Sequence, residues 1–106
     1  MQPQNLFAHP AVQEDKEHFD TLLKRTRFTL ERIVSAGHAS PYGSWCDQDR
    51  DEWVALLSGE AEILFEEGTV RVLLKPGDHL VIPARKRHRV ERTSSDAVWL
   101  ALHFDR

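Results

Sequence analysis

Residues 77 to 88 read GDHLVIPARKRH. Gly77 and Asp78 close a turn opened by Lys75 and Pro76. HLVIP is a short apolar run, and the basic ARKR segment is a second turn before HRVER, residues 88 to 92. Glycine and proline placed this way punctuate strands. The same rhythm continues in both directions. Upstream lie EWVALLSG (52–59), EAEILFEE (60–67) and TVRVLL (69–74); downstream lies AVWLALHF (97–104). In EAEILFEE, Ala61, Ile63 and Phe65 share one face and Glu60 and Glu62 the other, as strand alternation requires. Gly68 supplies the positive φ of a hairpin turn. Many short strands with glycine-bearing turns predict an all-β barrel or sandwich.

The N-terminal part has a different texture. RFTLERIV, residues 27 to 34, sets Phe28, Leu30 and Arg32 against Thr29, Glu31 and Ile33 in imperfect strand alternation. GHASPYGS, residues 37 to 44, is loop by composition. QEDKEHFDTLLKR, residues 13 to 25, has acids leading and bases trailing, with Phe19, Leu22 and Leu23 at helical spacing. That pattern predicts one short helix. The first ten residues are polar, with Leu6 and Phe7 to pin them down. The expected organisation is an arm and helix over 1–26, packed on a barrel over 27–106.

Composition sets outer limits. The chain has 106 residues, 41% hydrophobic and 29% charged, enough for one domain with a buried core. A net charge of −3 offers no global attraction to nucleic acid or to a membrane surface. One cysteine permits no internal disulfide, which suits a reducing compartment. No basic-then-apolar leader and no apolar run of about 20 residues is present, so a cytoplasmic location is expected.

Two spacings carry more than periodicity. Glu52 is followed after six residues by Gly59, and Gly77 is followed after five by Pro83, with His88 beyond it. These resemble the two signature motifs of the cupin superfamily, over about residues 27 to 104. The chain looks like a small single-domain bacterial cupin. The second motif departs from the pattern at two places, where Arg85 and Arg92 stand for a glycine and an asparagine. The first keeps Glu52 and Gly59 but lacks both histidines. With three-residue spacing those positions are Cys46 and Gln48; with four-residue spacing they are Trp45 and Asp47. Equal parity puts Cys46, Gln48, Arg50 and Glu52 on one face without a bulge, which favours the first register.

The resemblance implies a double-stranded β-helix, the cupin or jelly-roll barrel. It also implies a site that holds one divalent metal in many members, so iron, manganese, nickel or zinc is a candidate cofactor here. The residues matching that site are Glu52 and His88, with Gln48 and, more weakly, Cys46 in the places of histidines. Three neighbouring acids would raise the Cys46 thiol rather than activate it. Arg50, His79 and His103 are further candidates for contacting a ligand, as a carboxylate clamp or as proton donors and acceptors. A lone histidine is more often structural, and His9, His18 and His38 are given no role. Trp53, on the opposite parity from Glu52, is expected on the outer face as the contact of a homodimer.

Two functions fit these expectations. One is a metal-dependent enzyme of dioxygenase or isomerase type acting on a small organic molecule. The other is a non-catalytic cupin that binds a small polar or anionic ligand, aided by arginines at the barrel mouth. The fold alone does not choose between them.

Overall fold

The computed structural model describes residues 1–11, 17–37 and 45–105. Eight strands run in order: β1 His18–Arg25, β2 Phe28–Ser35, β3 Asp51–Ser58, β4 Ala61–Phe65, β5 Val70–Leu74, β6 His79–Ile82, β7 His88–Thr93 and β8 Ala97–Phe104. A short 3-10 turn, Glu67–Thr69, joins β4 to β5. The strands form two antiparallel sheets, one ordered β1-β2-β8-β3-β6 and the other β5-β4-β7. Past β3 the chain passes repeatedly between the sheets, because β3, β6 and β8 belong to one and β4, β5 and β7 to the other. The motifs at 52–59 and 77–88 therefore supply strands to both walls.

Alternation decides what lies between the walls. Val54 and Leu56 of β3, Ile63 and Phe65 of β4, Ile82 of β6 and Trp99 of β8 meet in one buried cluster. Side chains of the other parity leave by the opposite face of each strand. Gly59 makes the tight passage from β3 to β4 with φ of +78°.

The helix expected over residues 13 to 25 is not what forms. Residues 13 to 16 lie outside the described residues, and His18–Arg25 is strand β1. It pairs with β2 from His18↔Val34 to Arg25↔Phe28, with an irregularity between Thr21 and Leu23. The open edge of β2 offers a row of backbone partners that outweighs a weak local preference. Of the acids in that stretch, Asp20 serves another end. Asp20 sits opposite Arg32 in the register and accepts from its Nε (3.2 Å) and Nη2.

Arg32 is buried and also ties down the arm. Its Nη1 donates to the carbonyls of Leu6 (3.1 Å) and Ala8 (3.3 Å). Hydrogen bonding from Arg32 holds the Asp20 carboxyl below its ordinary value. A depressed carboxyl contributes stability above the unfolded pKa of about 4, lost as pH falls through the folded value. Asp20→Asn should therefore melt below the parent at pH 7. The gap should close as pH drops below about 4. Thermal melts from pH 7 to 2.5 check this, and a constant gap would refute it.

Candidate functional site

A cavity of about 190 Å³ lies between the sheets. Ile33, Val54, Ile63, Ile82, Val90 and Trp99 form its apolar wall. Gln48, Glu52, His88 and His103 form its polar end, and Glu17, Phe19 and Cys46 stand nearer the rim. Phe19 is 55% exposed there.

Strand register explains the polar end. Glu52 of β3 is the direct cross-strand partner of His103 on β8 and of Ile82 on β6. His88 starts β7 in the other sheet, so it faces Glu52 across the barrel. Gln48 lies in the segment leading to β3. Its Nε2 donates to Glu52 Oε1 at 2.6 Å. His88 Nε2 lies 3.8 Å from Oε1, and His103 Nε2 lies 3.8 Å from Oε2. These two distances allow charge attraction but exceed hydrogen-bond length. The Glu52 side chain is nine-tenths buried, yet Oε2 has no hydrogen bond among the described residues.

The imidazoles are oriented from behind. His88 Nδ1 donates to the Lys86 carbonyl (2.9 Å), so its Nε2 is the nitrogen turned to the cavity. His103 Nε2 is also 3.2 Å from Glu31 Oε1. Main-chain bonds fix the approach of the loop. Cys46 N donates to His88 O (2.7 Å), His88 N to Cys46 O (3.2 Å), and Arg85 N to Gln48 O (2.8 Å).

Cys46 reaches the rim. Partial burial first, then the charges of Glu52 and Glu17, push its thiol up. A thiolate is the ligand form of cysteine, so this environment opposes that role. Gln48 also turns a donor, not its oxygen, toward Glu52. Among the described residues no three His, Cys, Asp or Glu side chains converge on one point. The residues as arranged do not make a ready metal cage, although Glu52 and the oriented His88 are the two expected ligand types.

Two expected ligand contacts lie elsewhere. His79 is on the outer face of β6, where its Nδ1 accepts from Trp53 Nε1 at 3.2 Å. It shares the parity of Val81, which is 53% exposed, and this parity leads outward. Arg50 pairs with Asp105 at 2.9 Å and is not part of the cavity wall. Parity with Glu52 fails to bring it inward because the strand begins only at Asp51. The structure adds Glu17, Phe19 and Glu31, which sequence reasoning passed over. Glu31 had a signal: an acid on the same parity as Ile33 in a strand.

Arg85 shows how the departure from the motif is accommodated. It stands where the cupin pattern has glycine, and its φ is +68°, a region that costs an L-residue about 1–2 kcal/mol. Its ion pair with Asp47, at 3.4 Å and well exposed, returns little. Arg85→Gly should leave the melting temperature unchanged or raise it by a few degrees, despite the added chain entropy of glycine. A fall of more than about 5 °C in a thermal melt would show that the pair or the side chain matters more.

The description "Cupin domain" matches residues 33–103, well over half of the chain. The chain belongs to the cupin family. A solved structure from Ralstonia eutropha, provisionally named a mannose-6-phosphate isomerase, is 44% identical over the full length of both chains, with a TM-score of 0.92. A cupin superfamily protein from Desulfitobacterium hafniense is 23% identical, with a TM-score of 0.82 over 99% of this cupin and 92% of that chain. A Thermus thermophilus protein is 21% identical over 100% of this cupin and 99% of that chain, with a TM-score of 0.79. The last two establish likeness of fold alone. No curated protein matches this cupin.

Proposed function

We propose that this cupin binds a small organic molecule in the barrel cavity, anchored on the Glu52 carboxylate. The observation that carries this reading is Oε2. It belongs to a nine-tenths buried side chain in the cavity wall and lacks a hydrogen bond among the described residues. Oε2 is open to the cavity, so a donor on an occupant can complete its hydrogen bonding. Apolar walls with a few convergent polar groups are the usual make-up of a small-molecule site.

A thermal-shift screen of sugars, polyols, amines and organic acids tests the reading. A ligand present at 100 Kd stabilises by about 2.7 kcal/mol, worth roughly 10 °C or more in a domain of this size. Stabilisation that disappears in Glu52→Gln supports the reading. Its absence for every compound would refute it.

A second reading is favoured by the His88 orientation. The Nδ1–H to Lys86 carbonyl bond leaves Nε2 available in the neutral ring, facing Glu52, which suits a metal ligand or an acid–base partner. The isomerase name of the 44% identical protein accords with proton transfer between a carboxylate and an imidazole. Stoichiometric iron, manganese, nickel or zinc in protein purified without a histidine tag would support a metal-dependent enzyme, if lost in Glu52→Ala and His88→Ala. Metal-free protein whose melting ignores added divalent ions would count against it.

The outer face fits a homodimer. Leu30, Leu102, Trp53 and Val81 form one row across β2, β8, β3 and β6 in the strand register. An uncharged row of this kind is suited to the centre of an isologous contact. Val81→Lys should give a monomer at concentrations where the parent sediments as a dimer. Equal sedimentation of the two would remove this surface from consideration.

A further inference from the structure

We infer that the cavity takes a small hydroxylated or amine-bearing molecule that donates a hydrogen bond to Glu52 Oε2, and that it excludes sugar phosphates. This rests on the proposed binding role of the cavity and adds the chemistry of the occupant. It also runs against a simple transfer of the name carried by the 44% identical protein.

The first argument is the sign of the lining. Among the described residues the cavity wall contains two carboxylates, Glu17 and Glu52, and neither Lys nor Arg. Glu31 stands behind His103 at 3.2 Å. Even with His88 and His103 both protonated, three carboxylates against two imidazolium groups leave a net charge of −1. A phosphate group carries a charge of about −1.5 to −2 at neutral pH and needs cations or convergent N–H groups.

The second argument concerns Arg50 and the basic residues 85–87 and 89, each of which already pairs with a carboxylate, although Arg50 Nη2 has no hydrogen-bond partner among the described residues. Arg85 pairs with Asp47 (3.4 Å), Lys86 with Glu67 (3.6 Å), Arg87 with Glu66 (3.2 Å), Arg89 with Glu91 (3.0 Å) and Arg50 with Asp105 (2.9 Å). An anionic ligand would have to take a cation from an existing carboxylate and sit beside the acid it displaced.

The third argument is the kind of group that is missing. Oε2 is an acceptor, so the occupant supplies a donor: a hydroxyl or an ammonium group. An ammonium group also gains from the carboxylate field, in a cavity where that field is weakly screened.

Titration calorimetry with mannose, mannosamine and mannose 6-phosphate on the full chain tests the inference. Mannosamine should bind at least tenfold more tightly than mannose 6-phosphate, with mannose between them. The spread should narrow to less than threefold in Glu52→Gln. Should that variant fold poorly, Glu17→Gln at the rim should strengthen mannose 6-phosphate relative to the parent. Mannose 6-phosphate binding as tightly as the amine, and losing affinity in Glu52→Gln, would overturn the inference and leave the cavity reading intact. If none of the three binds, the inference falls and the broader thermal-shift screen decides the cavity reading; if their binding ignores Glu52→Gln, both fall.

Discussion

Gly59→Ala is expected to lower stability by about 3–4 kcal/mol, and the melting temperature by roughly 15 °C. Part of that is conformational. Gly59 has φ of +78°, where a Cβ costs about 1–2 kcal/mol. The rest is steric. An added Cβ would lie 2.8 Å from the Ala97 Cα and 2.9 Å from Asp96 Oδ1, and closer still to Ser94 Oγ. These atoms do not yield easily. Ser94 Oγ accepts from the Glu60 amide and donates to Asp96 Oδ1, both at 2.8 Å, and Ser94 N donates to the Glu60 carbonyl at 2.9 Å. Ala97 is fully buried. Overpacking in such surroundings typically costs about 1–3 kcal/mol. Gly77 is the internal control. Its φ is +93°, but nothing lies within 4 Å of an added Cβ, so Gly77→Ala should cost only the strain, about 1–2 kcal/mol. Urea unfolding of both variants measures the difference. Equal losses would mean that the contact with Ala97 is irrelevant.

Glu52→Gln is expected to separate binding from stability. It removes the charged acceptor facing the cavity, at a cost of about 2 kcal/mol in ligand affinity, or roughly thirtyfold in Kd. Stability should stay within about 1 kcal/mol of the parent. Gln fills the same space and can still accept from Gln48 Nε2, and a buried carboxylate no longer has to be kept from water. His88→Ala is the contrast. It opens space in the wall beside Phe65, whose ring centroid lies 6.0 Å from the imidazole, and should lose stability as well as affinity. Paired calorimetry and urea melts distinguish the two patterns. A large destabilisation in Glu52→Gln would identify the carboxylate as a structural element.

The barrel was legible because its signals are local. Alternation in EAEILFEE places Ala61, Ile63 and Phe65 in the core, and all three are buried there. Gly59 to Glu52 and Gly77 to His88 are spacings that a sequence displays directly. The helix was misread because β1 is specified by what it pairs with: Asp20 by Arg32, twelve residues on, and the strand as a whole by the open edge of β2. The site was half legible for a similar reason. Parity within one strand puts Glu52 inward, but parity has no meaning for Arg50, which precedes the strand. His79 and His103 looked alike in sequence. They differ because register sets His103 opposite Glu52 and sets His79 opposite Ala55, on the outer face with Trp53. Glu17 and Glu31 needed the third dimension, since Glu17 meets the cavity from just before β1 and Glu31 backs His103 from β2, outside either motif.

The paired main-chain bonds between Cys46 and His88 have a mechanical consequence. They hold the approach to β3 against the start of β7 at a single point, and the Arg85 amide adds a second stitch at Gln48. The carboxylate's donor and the facing imidazole are thus carried on one clasped edge. A molecule that displaces Gln48 on entering also draws on His88, so the two sides of the opening should loosen and tighten together. Slowed amide exchange at Cys46 and His88 in step, on binding, would be the trace of that shared hinge.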